Sequence, residues 1–183
     1  NFINFIFAII FLVIILLVYI MAKKLTAYYL QADVETKIWN FQRYWIKERS
    51  YFKTPIPIGV ILPFLVAVAS LGQVYWLAAT QSEITAKKSR VIKKHDFYSY
   101  SEMTEFHFAA ICAAGILACL VLAFIAYLFN LSELGKLAIF FAFFNMLPLG
   151  KLDGTKIFFG SIILWFVLAA ITLIATGYAL FLP

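Results

Sequence analysis

The chain is poor in charge, histidine and cysteine. Of its 183 residues only 13% are Asp, Glu, Lys or Arg, two are His and two are Cys. A soluble domain carries about 25% charged residues, and this chain is 64% hydrophobic instead. An ordinary soluble domain is excluded, and a polytopic membrane protein with a single membrane domain over residues 1–183 is expected. Cys112 and Cys119 share one apolar run, which leaves neither a disulfide framework nor a zinc knuckle. They read as small apolar residues at a helix interface. Ser70 and Ser161 have no G-x-S-x-G setting, no Gly-rich phosphate loop precedes a basic helix, and no H-E-x-x-H is present. Nor does the chain begin with the basic front, short apolar core and cleavage site of a secretory signal. It starts at Asn1 rather than Met, which leaves room for residues upstream.

The charge that is present is basic, 15 Lys and Arg against 9 Asp and Glu. Spread over loops without a nucleic-acid module, it points to cytoplasmic loops and anionic headgroups rather than nucleic acid. Residues 2–22 are uncharged and apolar, enough for one crossing. Residues 23–56 carry Lys23, Lys24, Lys37, Arg43, Lys47, Arg49 and Lys53 against Asp33, Glu35 and Glu48, with Trp39, Phe41, Tyr44 and Trp45 interleaved. That mixture suits a helix at headgroup level, with a protein-contact surface as the rival.

Residues 55–79 are apolar again and contain Pro63, Ser70 and Gly72. They either cross once or dip in and return. The next loop, 80–105, is also basic, so a re-entrant path keeps both basic loops on one side. Residues 106–129 form a clear span, rich in small residues such as Ala114, Gly115 and Ala118 that let helices approach closely. Segments 136–148 and 156–182 complete an all-α architecture of about four membrane segments.

Between the last two lies FFNMLPLGKLDGT, residues 143–155. A carboxylate at membrane depth defaults to a functional site, and non-helical backbone there must be satisfied within the protein. The alternative is a plain loop with Asp153 among headgroups. Lys151 and Lys156 flank Asp153, and either neutralises it or both snorkel outward. Braced by backbone N–H groups or by these lysines, Asp153 is expected to hold a broken helix at 145–154 together.

Asn145, Pro148, Asp153 and Gly154 have the spacing N-x-x-P-x-x-x-x-D-G. This resembles the site-2-protease family of intramembrane zinc metalloproteases, archaeal type. The resemblance implies a broken membrane helix whose Asp is the third zinc ligand. It also implies a first core helix ending in H-E-x-x-H, followed by a K-L-T-A-like stretch and a segment closing on Trp. Lys24-Leu25-Thr26-Ala27 and Ile38-Trp39 fall at matching offsets. Tyr19 and Lys23 then stand where the zinc histidines would be, and Ile20 where the general-base glutamate would be. Ala114 and Gly115 keep part of the family's A-G-P-x-x-N helix, while Ile116 and Cys119 replace its Pro and Asn.

The function implied is that of a catalytically inactive homologue without a cofactor. It would sit in the plasma membrane of a prokaryote, surrounded by lipid, and bind transmembrane segments or serve as a subunit of a larger membrane complex. The alternative is an atypical intramembrane zinc metalloprotease. That needs three ligands and an open position, so Asp153 would have to be joined by His95 and His107. A cationic Lys23 at a ligand position would repel the metal. A small transporter using the broken helix as its substrate site is the remaining alternative. The scarcity of intramembrane polar residues and the lack of a visible internal repeat speak against it.

Overall fold

In the computed structural model the residues described are 2–43, 51–71, 76–87 and 103–181. Among them are six helices and four short strands. In chain order these are α1 (Phe2–Tyr29), β1 (Ala32–Ile38), β2 (Phe41–Arg43), β3 (Tyr51–Ile56), α2 (Ile58–Ala69), β4 (Thr80–Ala86), α3 (Glu105–Leu128), α4 (Ser132–Met146), α5 (Asp153–Gly160) and α6 (Ile162–Phe181).

Helix α3 is the hub, and α1, α4 and α5 all pack on it. Its sequence allows this, because Ala109, Cys112, Ala113, Gly115, Cys119, Ala123 and Ala126 are buried and small. Three helices, α1, α3 and α6, are long and apolar enough to cross a membrane. Helix α1 buries one stripe at four-residue spacing, Ile15, Tyr19, Lys23 and Ala27, and exposes Ile9, Val13, Leu17 and Met21. Such an outward apolar face is suited to lipid.

The loops are not all helix or coil. Strands β1 and β4 pair antiparallel from Ala32↔Ala86 to Ile38↔Thr80, and β2 pairs with β3. The headgroup-level helix expected for residues 23–56 is therefore a correction. Helix α1 runs on to Tyr29, Gln31 takes a positive φ of 53°, and a strand follows. Val34, Thr36 and Ile38 face Ile84, Ser82 and Thr80, and β-branched residues favour a pleated surface. Trp39 is not in an interfacial belt either. It is buried with Ala78 and Leu152. Tyr44, Trp45 and Gly72 lie outside the described residues.

Among the described residues of segment 55–79 the one helix is α2, 12 residues long with Pro63 inside it. At 1.5 Å per residue that is about 18 Å, short of the roughly 30 Å hydrocarbon core. Its two ends meet at Trp39. The Gly59 N–H donates to the Trp39 carbonyl at 2.9 Å, and the Trp39 N–H donates to the Ala79 carbonyl at 2.9 Å. Gly59 is required there, since a Cβ would lie 2.2 Å from the Ala79 oxygen.

The final segment 156–182 is two helices rather than one. Ser161 is extended (φ −162°, ψ 107°) between α5 and α6. Its hydroxyl accepts from the Leu164 N–H at 3.3 Å and caps α6.

Candidate functional site

The break between α4 and α5 delivers Asp153 into the protein. Met146 ends α4, and the Trp165 indole N–H donates to its carbonyl at 3.2 Å. The chain then turns through exposed Pro148 and Gly150, whose φ is +56°. Leu152 hydrogen-bonds back to the Leu149 carbonyl at 3.1 Å. Asp153 opens α5, where its charge also favours the helix N-terminus. Gly154 is needed because a Cβ would sit 2.1 Å from the Met146 carbonyl oxygen. The D-G pair thus has a steric explanation: α5 starts against the backbone where α4 ends.

Asp153 is fully buried, and so are Tyr19 and Lys23 of α1. The Lys23 ammonium forms an ion pair with Asp153 Oδ2, and the Tyr19 hydroxyl donates to the same oxygen. Lys23 Nζ also donates to Ser82 Oγ of β4 at 2.7 Å and lies 3.6 Å from the centroid of the Tyr19 ring. Asn145 Nδ2 donates to the Phe141 carbonyl at 2.9 Å, which leaves its Oδ1 3.5 Å from the Tyr19 hydroxyl. Phe141 meets the Tyr19 ring edge-on at 5.0 Å. Gly115 of α3 makes room for the group, since a Cβ there would be 2.7 Å from Lys23 Cε and 2.9 Å from the Tyr19 ring.

Five sequence candidates therefore come together: Tyr19, Lys23, Gly115, Asn145 and Asp153. Gly154 supports them from behind. Ile20 is only half-buried, and so are Ala114 and Ala118. The small residues that α3 buries most deeply include Cys112 and Cys119 instead. His107 caps the start of its own helix, its Nδ1 accepting from the Thr104 N–H at 3.1 Å, and His95 lies outside the described residues.

The counter-charge of Asp153 corrects the sequence reading. Lys151 is exposed and Lys156 half-buried, while Lys23, 130 positions away by subtraction, makes the ion pair. Adjacency in sequence was misleading, because the residue before buried Leu152 points outward. The usable signal was the i, i+4 stripe from Ile15 to Ala27, which turns Lys23 inward. Ser82 had no local signal, since it arrives through the β1–β4 pairing.

The site does not fit a zinc ion. Its one carboxylate is paired with an ammonium, and among the described residues no group of three His, Cys, Asp or Glu is gathered for a metal. Beside it a cavity of about 390 Å³ is lined by Ile84, Glu105, Phe108, Thr155, Lys156 and Phe159. The fold and site are those of a helical membrane protein with a fully buried ion pair among its described residues. Comparison with known protein families, characterised proteins and solved structures gives no match.

Proposed function

We propose that the protein is a catalytically inactive relative of the site-2 proteases, a pseudoprotease. It uses the retained core to hold a transmembrane segment of another protein, as a binding partner or within a larger membrane complex. One observation carries the reading. Tyr19, Lys23 and Asp153, which the resemblance aligns with three zinc ligands, meet at a single carboxylate oxygen although Tyr19 and Asp153 are 134 positions apart. The meeting of those three positions supports the resemblance. Lysine in place of a ligand histidine supports loss of the metal chemistry.

Two further features support the arrangement. Gly59 and Ala79 both hydrogen-bond the Trp39 backbone, which supports a re-entrant path, and the pairing of β1 with β4 supports parts of both basic loops sharing one side. Their excess of lysine and arginine assigns that side to the cytoplasm, and the archaeal-type resemblance assigns the plasma membrane of a prokaryote. The 390 Å³ cavity beside α5 would take side chains of the partner segment.

Photo-crosslinking tests the reading. A photoreactive residue at Phe108 or Phe159 is expected to capture discrete membrane proteins. The same group at Leu17, on the outward face of α1, is expected to capture lipid. Lipid alone from all three positions would remove the binding function.

A further inference from the structure

The surroundings of the Lys23 ammonium resemble a cation site more than a simple salt bridge. An ammonium has three N–H donors, and here one meets Asp153, one meets Ser82 Oγ at 2.7 Å, and the remaining face lies over the Tyr19 ring at 3.6 Å. The atoms nearest the ammonium are oxygens, the Asp153 carboxylate and the Ser82 and Tyr19 hydroxyls, with Asn145 Oδ1 beyond them, and the Cys112 thiol lies against Asp153. Asp153 Oδ1 is buried and has no hydrogen-bond partner, so the shell holds one more acceptor than the lysine uses. The oxygens around the ammonium suit a hard cation. Charge selects among hard cations. One buried carboxylate balances one positive charge, and a divalent ion would leave a net charge in a dehydrated interior, at high cost.

We propose that the Asp153 pocket is a monovalent-cation site whose resident cation is the protein's own Lys23 ammonium. Shortening that side chain opens the pocket to free ammonium or potassium. This stands on the contacts alone and is independent of the protease resemblance, so its failure and the failure of the pseudoprotease reading are separable. The Gly115 notch that accommodates Lys23 Cε supplies the space once the chain is cut back.

The test uses the full chain in detergent. Lys23→Ala is melted in ammonium, potassium, magnesium, zinc and choline chlorides at equal ionic strength. Ammonium or potassium is expected to raise its melting temperature saturably, by several degrees over choline. The rise should vanish in Lys23→Ala/Asp153→Asn, and the wild type should not respond. Indifference of Lys23→Ala to the cation would overturn the proposal, as would zinc stabilising it more than potassium does. Should Lys23→Ala fail to fold, the wild type still decides. With carboxyl-labelled aspartate, its infrared spectrum at neutral pH is expected to show only ionised carboxylates. A protonated-acid band would mean that Asp153 is neutral and holds no cation.

Discussion

Two of the lysine–carboxylate pairs that tie distant parts of this chain together differ mainly in where they lie. Lys23 and Asp153 join α1 to α5 with both side chains at 0% exposure. Lys37 and Glu83 join β1 to β4 with side chains 46% and 49% exposed. The inner pair has given up its water and is surrounded by oxygens and an aromatic ring. The outer pair keeps solvent, and a second carboxylate, Glu35, also lies 3.0 Å from Lys37. The same chemistry is structural in one place and nearly optional in the other. Burial makes the difference, because a charge stripped of water depends on its partner, whereas an exposed charge has water to fall back on.

The largest effect expected follows from that dependence. Lys23→Ala or Asp153→Ala leaves an uncompensated buried charge, which costs about 3–5 kcal/mol. Removing both together in Lys23→Met/Asp153→Leu is expected to cost much less than either single change, because an apolar replacement of a buried pair is often near neutral. Unfolding of the three variants in detergent measures this. Single changes no worse than the double would break the contrast, since Asp153 would then behave as a hydrated loop residue.

Glycines sharpen the same contrast between crowded interior and open surface. Gly154→Ala drives a Cβ to 2.1 Å from the Met146 carbonyl oxygen, a backbone atom that cannot step aside. Overpacking of that kind costs about 1–3 kcal/mol. At Gly177 in α6 a Cβ meets nothing within 4 Å, so alanine there is expected to stabilise by roughly 0.5–1 kcal/mol. Melting temperatures moving in opposite directions would confirm that the α4–α5 junction, and not glycine content as such, limits stability.

What the sequence made legible divides along similar lines. Helices α1 and α3 were readable because a run of apolar residues needs no partner to declare itself. The break before Asp153 was readable from Pro148 and Gly150, and the small-residue character of α3 from its alanines. The β1–β4 pair was not. Its seven-residue strands carry Lys37, Glu35 and Glu83, which read as solvated loop, and the pairing joins residues more than forty positions apart. Trp39 misled for a related reason. Beside basic residues it suggested an interface, yet its burial depends on Ala78 and Leu152, which no local pattern brings near. The counter-charge of Asp153 failed in the same way. Lys151 and Lys156 were adjacent, but Lys23 was inward.

The smallest effect expected concerns the outer pair, and its sign is not the obvious one. The register sets Glu35 directly opposite Glu83, and like charges facing across a ladder are unfavourable. Lys37 bridges them, 2.6 Å from Glu83 and 3.0 Å from Glu35. Glu83→Gln therefore loses one attraction and one repulsion and should leave stability almost unchanged. Lys37→Gln loses both attractions and leaves the repulsion, so it should destabilise. The hydrogen bond from Lys37 holds the Glu83 carboxyl below its usual range, and the bond to Glu83 holds Lys37 above its own. A depressed carboxyl stabilises above its ordinary pKa, and that contribution fades as pH falls through the lowered one. A raised lysine stabilises below its ordinary pKa, and that contribution fades as pH rises through the raised one. The gap in melting temperature between wild type and Lys37→Gln should thus be flat around neutrality, close towards acid and towards strong alkali, and shrink in high salt. A gap that survives acid and salt alike would mean that the Lys37 stem packs on the sheet, and that the outer pair differs from the inner one in more than its water.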